Sequence, residues 1–220
     1  YPLRRQRQMC IRDSFIMTTV NQIDVKISKA KKMMLWFGMI SITMTFAGLT
    51  SAFIVSSSRP DWLDSFVLPN WFTISTVSIV FSSIFFQLAK SRLDKYVRVS
   101  LPENINIYIE RNNVNILLVL TILTAIVFVV SQFLGFNEII SQGYYFTGPE
   151  SSVTTSYVYI LVFLHLAHLF AGMIVLTVVI SKFNKQKYEK NKLGFELALI
   201  FWHFLGALWI YLFFFIKYFS

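Results

Sequence analysis

The stretch Asn115–Phe136, NILLVLTILTAIVFVVSQFLGF, decides the fold: 22 consecutive residues without a charged side chain. As a helix it would rise about 33 Å at 1.5 Å per residue, enough to cross a hydrocarbon core roughly 30 Å thick. Apolar side chains fall on nearly every face, so neither a two-residue alternation nor a single amphipathic stripe describes it. In lipid every backbone N–H and C=O has to be satisfied within the segment or within a closed barrel, and an open strand cannot do that. The stretch reads as a transmembrane helix.

Working outward, four further segments have the same character: Met33–Val55, Leu68–Ala89, Thr154–Ser181 and Phe195–Tyr218. The fold class expected is therefore an all-α integral membrane protein, a bundle of five transmembrane helices. Composition agrees. Of 220 residues 55% are hydrophobic, 17% aromatic and only 14% charged, where soluble domains carry about 25% charged residues. Twenty-three phenylalanines and 8 glycines exclude disorder and a collagen repeat, and the single cysteine, Cys10, excludes a disulfide framework or a cysteine-ligated zinc.

The first sixteen residues, YPLRRQRQMCIRDSFI, match nothing that follows: Arg4, Arg5, Arg7 and Arg12 stand in a chain that otherwise prefers lysine. The run lacks the apolar centre and cleavage site of a signal peptide. It resembles translated sequencing-adapter read-through, so 1–16 is expected to be a foreign or disordered leader with Met17 as the natural start. Residues 17–32 then form a cytoplasmic N-terminal segment and 33–220 the transmembrane domain.

The net charge of +9 raises the question of nucleic acid, and the placement of the charges answers it. Lys26, Lys29, Lys31 and Lys32 precede the first span; the first loop holds only Arg59, beside Asp61 and Asp64. The second loop holds Lys90, Arg92, Lys95, Arg98 and Arg111; the third has Glu138 and Glu150 and no basic residue; the fourth has Lys182, Lys185, Lys187, Lys190 and Lys192. Basic-rich and basic-poor segments alternate, which places the N-terminus in the cytoplasm and the C-terminus outside. Anionic lipid headgroups account for the charge without nucleic acid.

Ionisable groups at membrane depth are costly and are the first candidates for function. Here they are His165 and His168 in span four and Glu196 and His203 in span five, with the neutral Gln132 in span three. His165 and His168 share a helix face that Gly172 continues, and Glu196 and His203 share another. A metal or haem site is one reading of the histidines. Depth weighs against it: His168 lies about 20 Å and His203 about 12 Å from their cytoplasmic ends, an offset near 8 Å. Neutral histidines hydrogen-bonding between helices form the simpler reading, with proton relay or substrate contact as the remainder. Phe46–Ala47–Gly48 with Ser51–Ala52, and the series Ser75, Ser78, Ser82 and Ser83, read as small faces for close helix approach, while Trp62, Trp71 and Trp209 read as an outer interfacial belt and Trp36 as the inner one.

Spans four and five carry a resemblance. TSYVYILVFLHLAHLFAGMIVL is followed by a short basic loop and then LGFELALIFWHFLGALWIYLFFFIKYF. This resembles subunit III of the haem–copper oxidases, in which an HxxH pair and a glycine precede a last helix that opens with GFE and continues to WHF and a tryptophan. The matching positions are His165, His168 and Gly172, then Gly194, Phe195, Glu196, Trp202, His203, Phe204 and Trp209. FAGLTSAF at Phe46–Phe53, Leu68–Pro69, Ser82–Ser83 and Gln132 add to it, so the resemblance covers about Met33–Tyr218. Two positions depart: the family's buried glutamate six residues before the glycine of FAG is Ile42 here, and the aspartate two residues past WHF is Gly206. The leading helix pair of longer relatives is not seen, which corresponds to the five-helix form.

The resemblance implies a non-catalytic core subunit of a proton-pumping terminal oxidase in a bacterial cytoplasmic membrane. Its partners would be oxidase subunits I and II, with haem and copper in those partners and none bound by this chain. It also implies bound structural phospholipid, support of proton uptake by subunit I, and no catalytic, cofactor or metal residue here. Cytochrome c is the expected donor ahead of quinol, although no residue of this subunit reads the donor. A small stand-alone transporter, or a stand-alone haem or metal membrane protein, is the alternative. A transporter would show repeats or helices broken at midplane; no repeat is visible, and Pro60, Pro69, Pro102 and Pro149 lie in loops or at span ends.

Overall fold

The computed structural model describes residues 2–59, 62, 68–99, 106–148, 152–185 and 192–219, and for 2–21, 24, 96–99 and 106–110 the backbone alone. Pro60, Asp61, Asp64, Pro102, Pro149, Glu150, Lys187 and Lys190, on which the reading of the loops drew, lie outside these residues. Every regular element among the described residues is a helix: α1 (Pro2–Ser56), α2 (Asn70–Val99), α3 (Asn106–Ser141), α4 (Val153–Asn184) and α5 (Leu193–Phe219). All five contain a segment long and apolar enough to cross a membrane, namely Val25–Ser56, Asn70–Lys95, Arg111–Ser141, Val153–Asn184 and Leu193–Phe219.

Local chemistry sets the ends. Ser57 and Ser58 hydroxyls donate to the carbonyls of Ile54 and Val55, satisfying acceptors that the end of α1 leaves open. Gly143 sits at φ +86° just past α3, a left-handed conformation that glycine adopts without cost, and the next amide, Tyr144, reaches back to the Ile139 carbonyl. Ser152 caps α4 by accepting from the Thr155 amide at 3.2 Å. One difference from the sequence reading is the length of α2 and α3. The basic segment expected as the second loop is largely helical, because no glycine or proline interrupts it between Lys90 and Leu101. At 30 residues α2 is about 45 Å long, more than lipid requires, so the stretch bearing Lys90, Arg92 and Lys95 extends past the apolar part.

The chain forms two units, Tyr1–Ser41 and Ile42–Ser220. The first is helical throughout its described length, and Met33, Met34, Trp36 and Phe37 are exposed on it, as on a lipid-facing helix. In the second unit α2 packs on α3, α3 on α4, α4 on α5 and α5 back on α2, which closes a ring of four helices. The part of α1 from Ile42 onward attaches to α4 and α5 through buried Phe46 and Phe53, with Thr50 hydrogen-bonded to Tyr211 and Ser56 to Tyr157. The ring interior is aromatic: Phe72, Phe86, Phe128, Phe195, Trp202 and Trp209 are all fully buried.

Two glycines of the ring sit where a side chain would collide. A Cβ at Gly135 of α3 would stand 2.7 Å from the Phe72 ring of α2, and one at Gly172 of α4 would stand 2.7 Å from Leu205 Cδ1 of α5. Gly48 of α1 differs: a Cβ there would meet nothing within 4 Å, and Ala47 and Ser51 beside it are exposed. The small-residue face expected to bring α1 close to a neighbour is therefore turned away from this chain's own helices, since Phe46, Thr50 and Phe53 on the other face make the contacts.

A polar seam along the second helix

α2 is an apolar helix with hydroxyls at Ser75, Thr76, Ser78 and Ser82, and the polar groups of its neighbours converge on them. Ser78 donates to the Thr124 carbonyl at 2.7 Å and Ser82 to the Thr121 carbonyl at 3.1 Å, tying α2 to α3. Gln132, fully buried on α3, donates its amide to Ser75 Oγ at 2.6 Å. From α5, the Trp202 indole donates to Ser82 Oγ at 3.2 Å and the Trp209 indole to Thr76 Oγ1 at 3.0 Å. A hydroxyl that accepts from an indole and donates to a carbonyl satisfies two buried groups at once, which lipid would otherwise leave unpaired.

Trp209 thereby corrects the sequence reading. It is no interfacial anchor but a fully buried core residue. It lies seven residues, two turns, from Trp202 and so shares the inward face of α5 with it. Trp62 makes a T-shaped contact with Phe53, ring centroids 4.8 Å apart, and Trp71 stays 37% exposed.

The three histidines differ in their surroundings, although His165 and His168 both pack on Phe46. His165 is fully buried among Phe46 of α1, Phe128 of α3 and Trp209 of α5, with ring centroids 6.4, 6.1 and 5.1 Å away. Among the described residues neither of its ring nitrogens meets a hydrogen-bonding atom, and the same holds for Gln132 Oε1. His168, one turn on, donates Nδ1–H to its own helix at the Leu164 carbonyl, 2.7 Å away, and lies 5.8 Å from the Phe46 ring. His203 faces α2, with Nε2 3.2 Å from Gln87 Oε1. His165 packs on Trp209, which lies six residues, about 9 Å, along α5 from His203. Among the described residues no group of three His, Cys, Asp or Glu side chains is placed to hold a metal ion.

Glu196 also faces α2. Its carboxylate is 3.8 Å from Lys90 Nζ, and one turn before it Lys192 reaches Asp94 at 2.8 Å. Glu196 thus links span five to span two. Phe204 packs on the core, partly buried, and Gly172 receives Leu205 and Trp202 of α5. The sequence reading missed Thr76, Gln87 and Asp94, and took Lys90 only as a loop charge. Gln87 was the legible one: an uncharged polar residue inside an expected span, of the same kind as Gln132.

The sequence model of the family described as cytochrome c oxidase subunit III matches residues 25–220. The chain is also 24% identical over 200 residues to cytochrome bo(3) ubiquinol oxidase subunit 3 of Buchnera aphidicola subsp. Acyrthosiphon pisum (strain APS), covering 87% of this chain and 88% of that one.

Proposed function

Because the chain belongs to the cytochrome c oxidase subunit III family, we propose that it serves as the non-catalytic core subunit III of a proton-pumping haem–copper terminal oxidase of aerobic respiration. It sits in a bacterial cytoplasmic membrane beside subunits I and II, which carry the haem and copper, with its N-terminus in the cytoplasm and its C-terminus outside. It stabilises the complex, holds structural phospholipid and supports proton uptake by subunit I. The family match over residues 25–220 carries this reading. That buried Ser75, Ser78, Ser82 and Gln132 all make helix-to-helix bonds along α2 supports a packing role for them.

Cytochrome c is the donor in this reading. A second reading, quinol as donor, is favoured by the relative named as a ubiquinol oxidase subunit. Extraction of the membrane in mild detergent and capture of this chain tests both. Haem-containing subunits should come with it and give a reduced-minus-oxidised optical spectrum. The captured complex should then oxidise reduced cytochrome c; oxidation of ubiquinol alone moves the assignment to the second reading. A chain captured free of haem subunits, from membranes whose oxidase stays intact, overturns the function.

A further inference from the structure

α2 and α5 leave between them a groove of about 400 Å³ whose walls are almost wholly apolar. Ile79 and Ile84 of α2 and Ile210 of α5 form its sides, and Gly206 and Ala207 give it depth because they carry almost no side chain. A Cβ at Gly206 would already stand 3.1 Å from Ser83 Oγ, so the backbone of α5 is the floor at that point. The apolar length from Ile210 to His203 is about 10 Å at 1.5 Å per residue. Apart from the Ser83 hydroxyl beside Gly206, the lining turns polar at one end, at the His203–Gln87 pair. Beyond that end, on the same seam, come Lys90–Glu196 and then Lys192–Asp94.

We propose that this groove binds one acyl chain of a phospholipid whose phosphate lies at Lys90 and Lys192. The order of chemistry along the seam is that of the lipid itself: hydrocarbon, then a hydrogen-bonding pair at the depth of the ester groups, then cations. On the seam itself Lys90 and Lys192 face Glu196 and Asp94, and Arg92 and Lys95, on other faces of the same stretch of α2, add the positive excess that suits an anionic headgroup region. At 3.8 Å the Lys90–Glu196 contact is longer than a hydrogen bond, which leaves the lysine able to turn to a phosphate oxygen. A partner helix, about 10–12 Å across, could enter such a groove only by single side chains and would leave the cationic end unmatched. The site makes specific the phospholipid binding proposed above and rests on that reading.

The test uses the assembled complex in lipid nanodiscs containing a phospholipid with a photoreactive group at the end of its chain. After irradiation, labelled peptides are mapped and the phospholipid retained by the purified complex is counted. Label should concentrate on 79–88 and 203–210, several-fold above the exposed apolar residues Ile174 and Val178 of α4, and Ala207→Trp should abolish that excess. The wild-type contrast stands even where the variant fails to assemble. Retained phospholipid with no excess label in the groove overturns the site and leaves the broader lipid reading intact; absence of retained phospholipid overturns both. Cross-linking of 203–210 to a helix of another subunit assigns the groove to protein and also overturns the site.

Discussion

Lys90 of α2 and Glu196 of α5 stand 3.8 Å apart, Nζ to Oε1, so the carboxylate that opens the last helix meets the second helix. Both side chains are about one-third exposed, at 30% and 38%. Exposed pairs contribute roughly 0–1 kcal/mol. A double-mutant cycle with Lys90→Ala and Glu196→Ala, read by thermal dissociation of the subunit from its complex, should therefore give a small coupling. A coupling above about 2 kcal/mol would mean that the pair is desolvated in the assembly.

The glycines give a sharper contrast. Gly172→Val would drive a side chain into Leu205, 2.7 Å from where its Cβ would stand, and force α4 from α5. Overpacking of this kind costs about 1–3 kcal/mol, and a lower Tm of the purified subunit is expected. Gly48→Leu should leave that Tm unchanged, because its Cβ meets nothing within 4 Å. Equal losses for the two variants would show that α1 packs through its small face after all.

His165→Phe tests whether the buried imidazole acts through its nitrogens. Among the described residues neither nitrogen has a hydrogen-bond partner, and the surroundings are aromatic. Removing a buried polar group that has no partner is nearly neutral or stabilising, so Tm should hold or rise and oxidase turnover should persist. A loss of about 2 kcal/mol or more, recovered by His165→Gln, would reveal a hydrogen-bonding role.

We propose that residues 1–16 are foreign to the protein and that the N-terminus lies in the cytoplasm. A chain starting at Met17 should insert and assemble like the full chain, since it keeps Lys26, Lys29, Lys31 and Lys32. Starting there also removes Cys10, the sole cysteine. In that background Lys29→Cys should be shielded from an impermeant thiol reagent in intact cells, while Tyr145→Cys, in the α3–α4 connection, should react. The reverse pattern inverts the topology, and lost assembly makes the leader genuine.

The five spans were legible because a helix in lipid needs only length and apolarity, and Asn115–Phe136 supplies both within one unbroken run. What did not read out was which face turns inward. A helix apolar all round gives its lipid side and its core side the same residues. Trp209 thus passed for an interfacial anchor and Gly48 for a packing contact, although the first is fully buried and the second faces away from the ring. The residues that betray the inward face are hydroxyls. Ser75, Ser78 and Ser82 were noticed as small, but their bonds to Gln132, the Thr124 carbonyl and Trp202 depend on neighbours that no spacing within α2 reveals.

The serine bonds from α2 to α3 also act as a key. Ser78 and Ser82 are four residues apart and engage the Thr124 and Thr121 carbonyls, which run the opposite way along α3. Sliding α2 by one residue would move it about 1.5 Å and turn it about 100°, carrying both hydroxyls off their acceptors together. Greasy surfaces alone would permit many alignments of these antiparallel rods at similar energy. The paired hydroxyls choose one, and since the indoles of Trp202 and Trp209 are seated on the same helix, that choice fixes the azimuth of α5 as well.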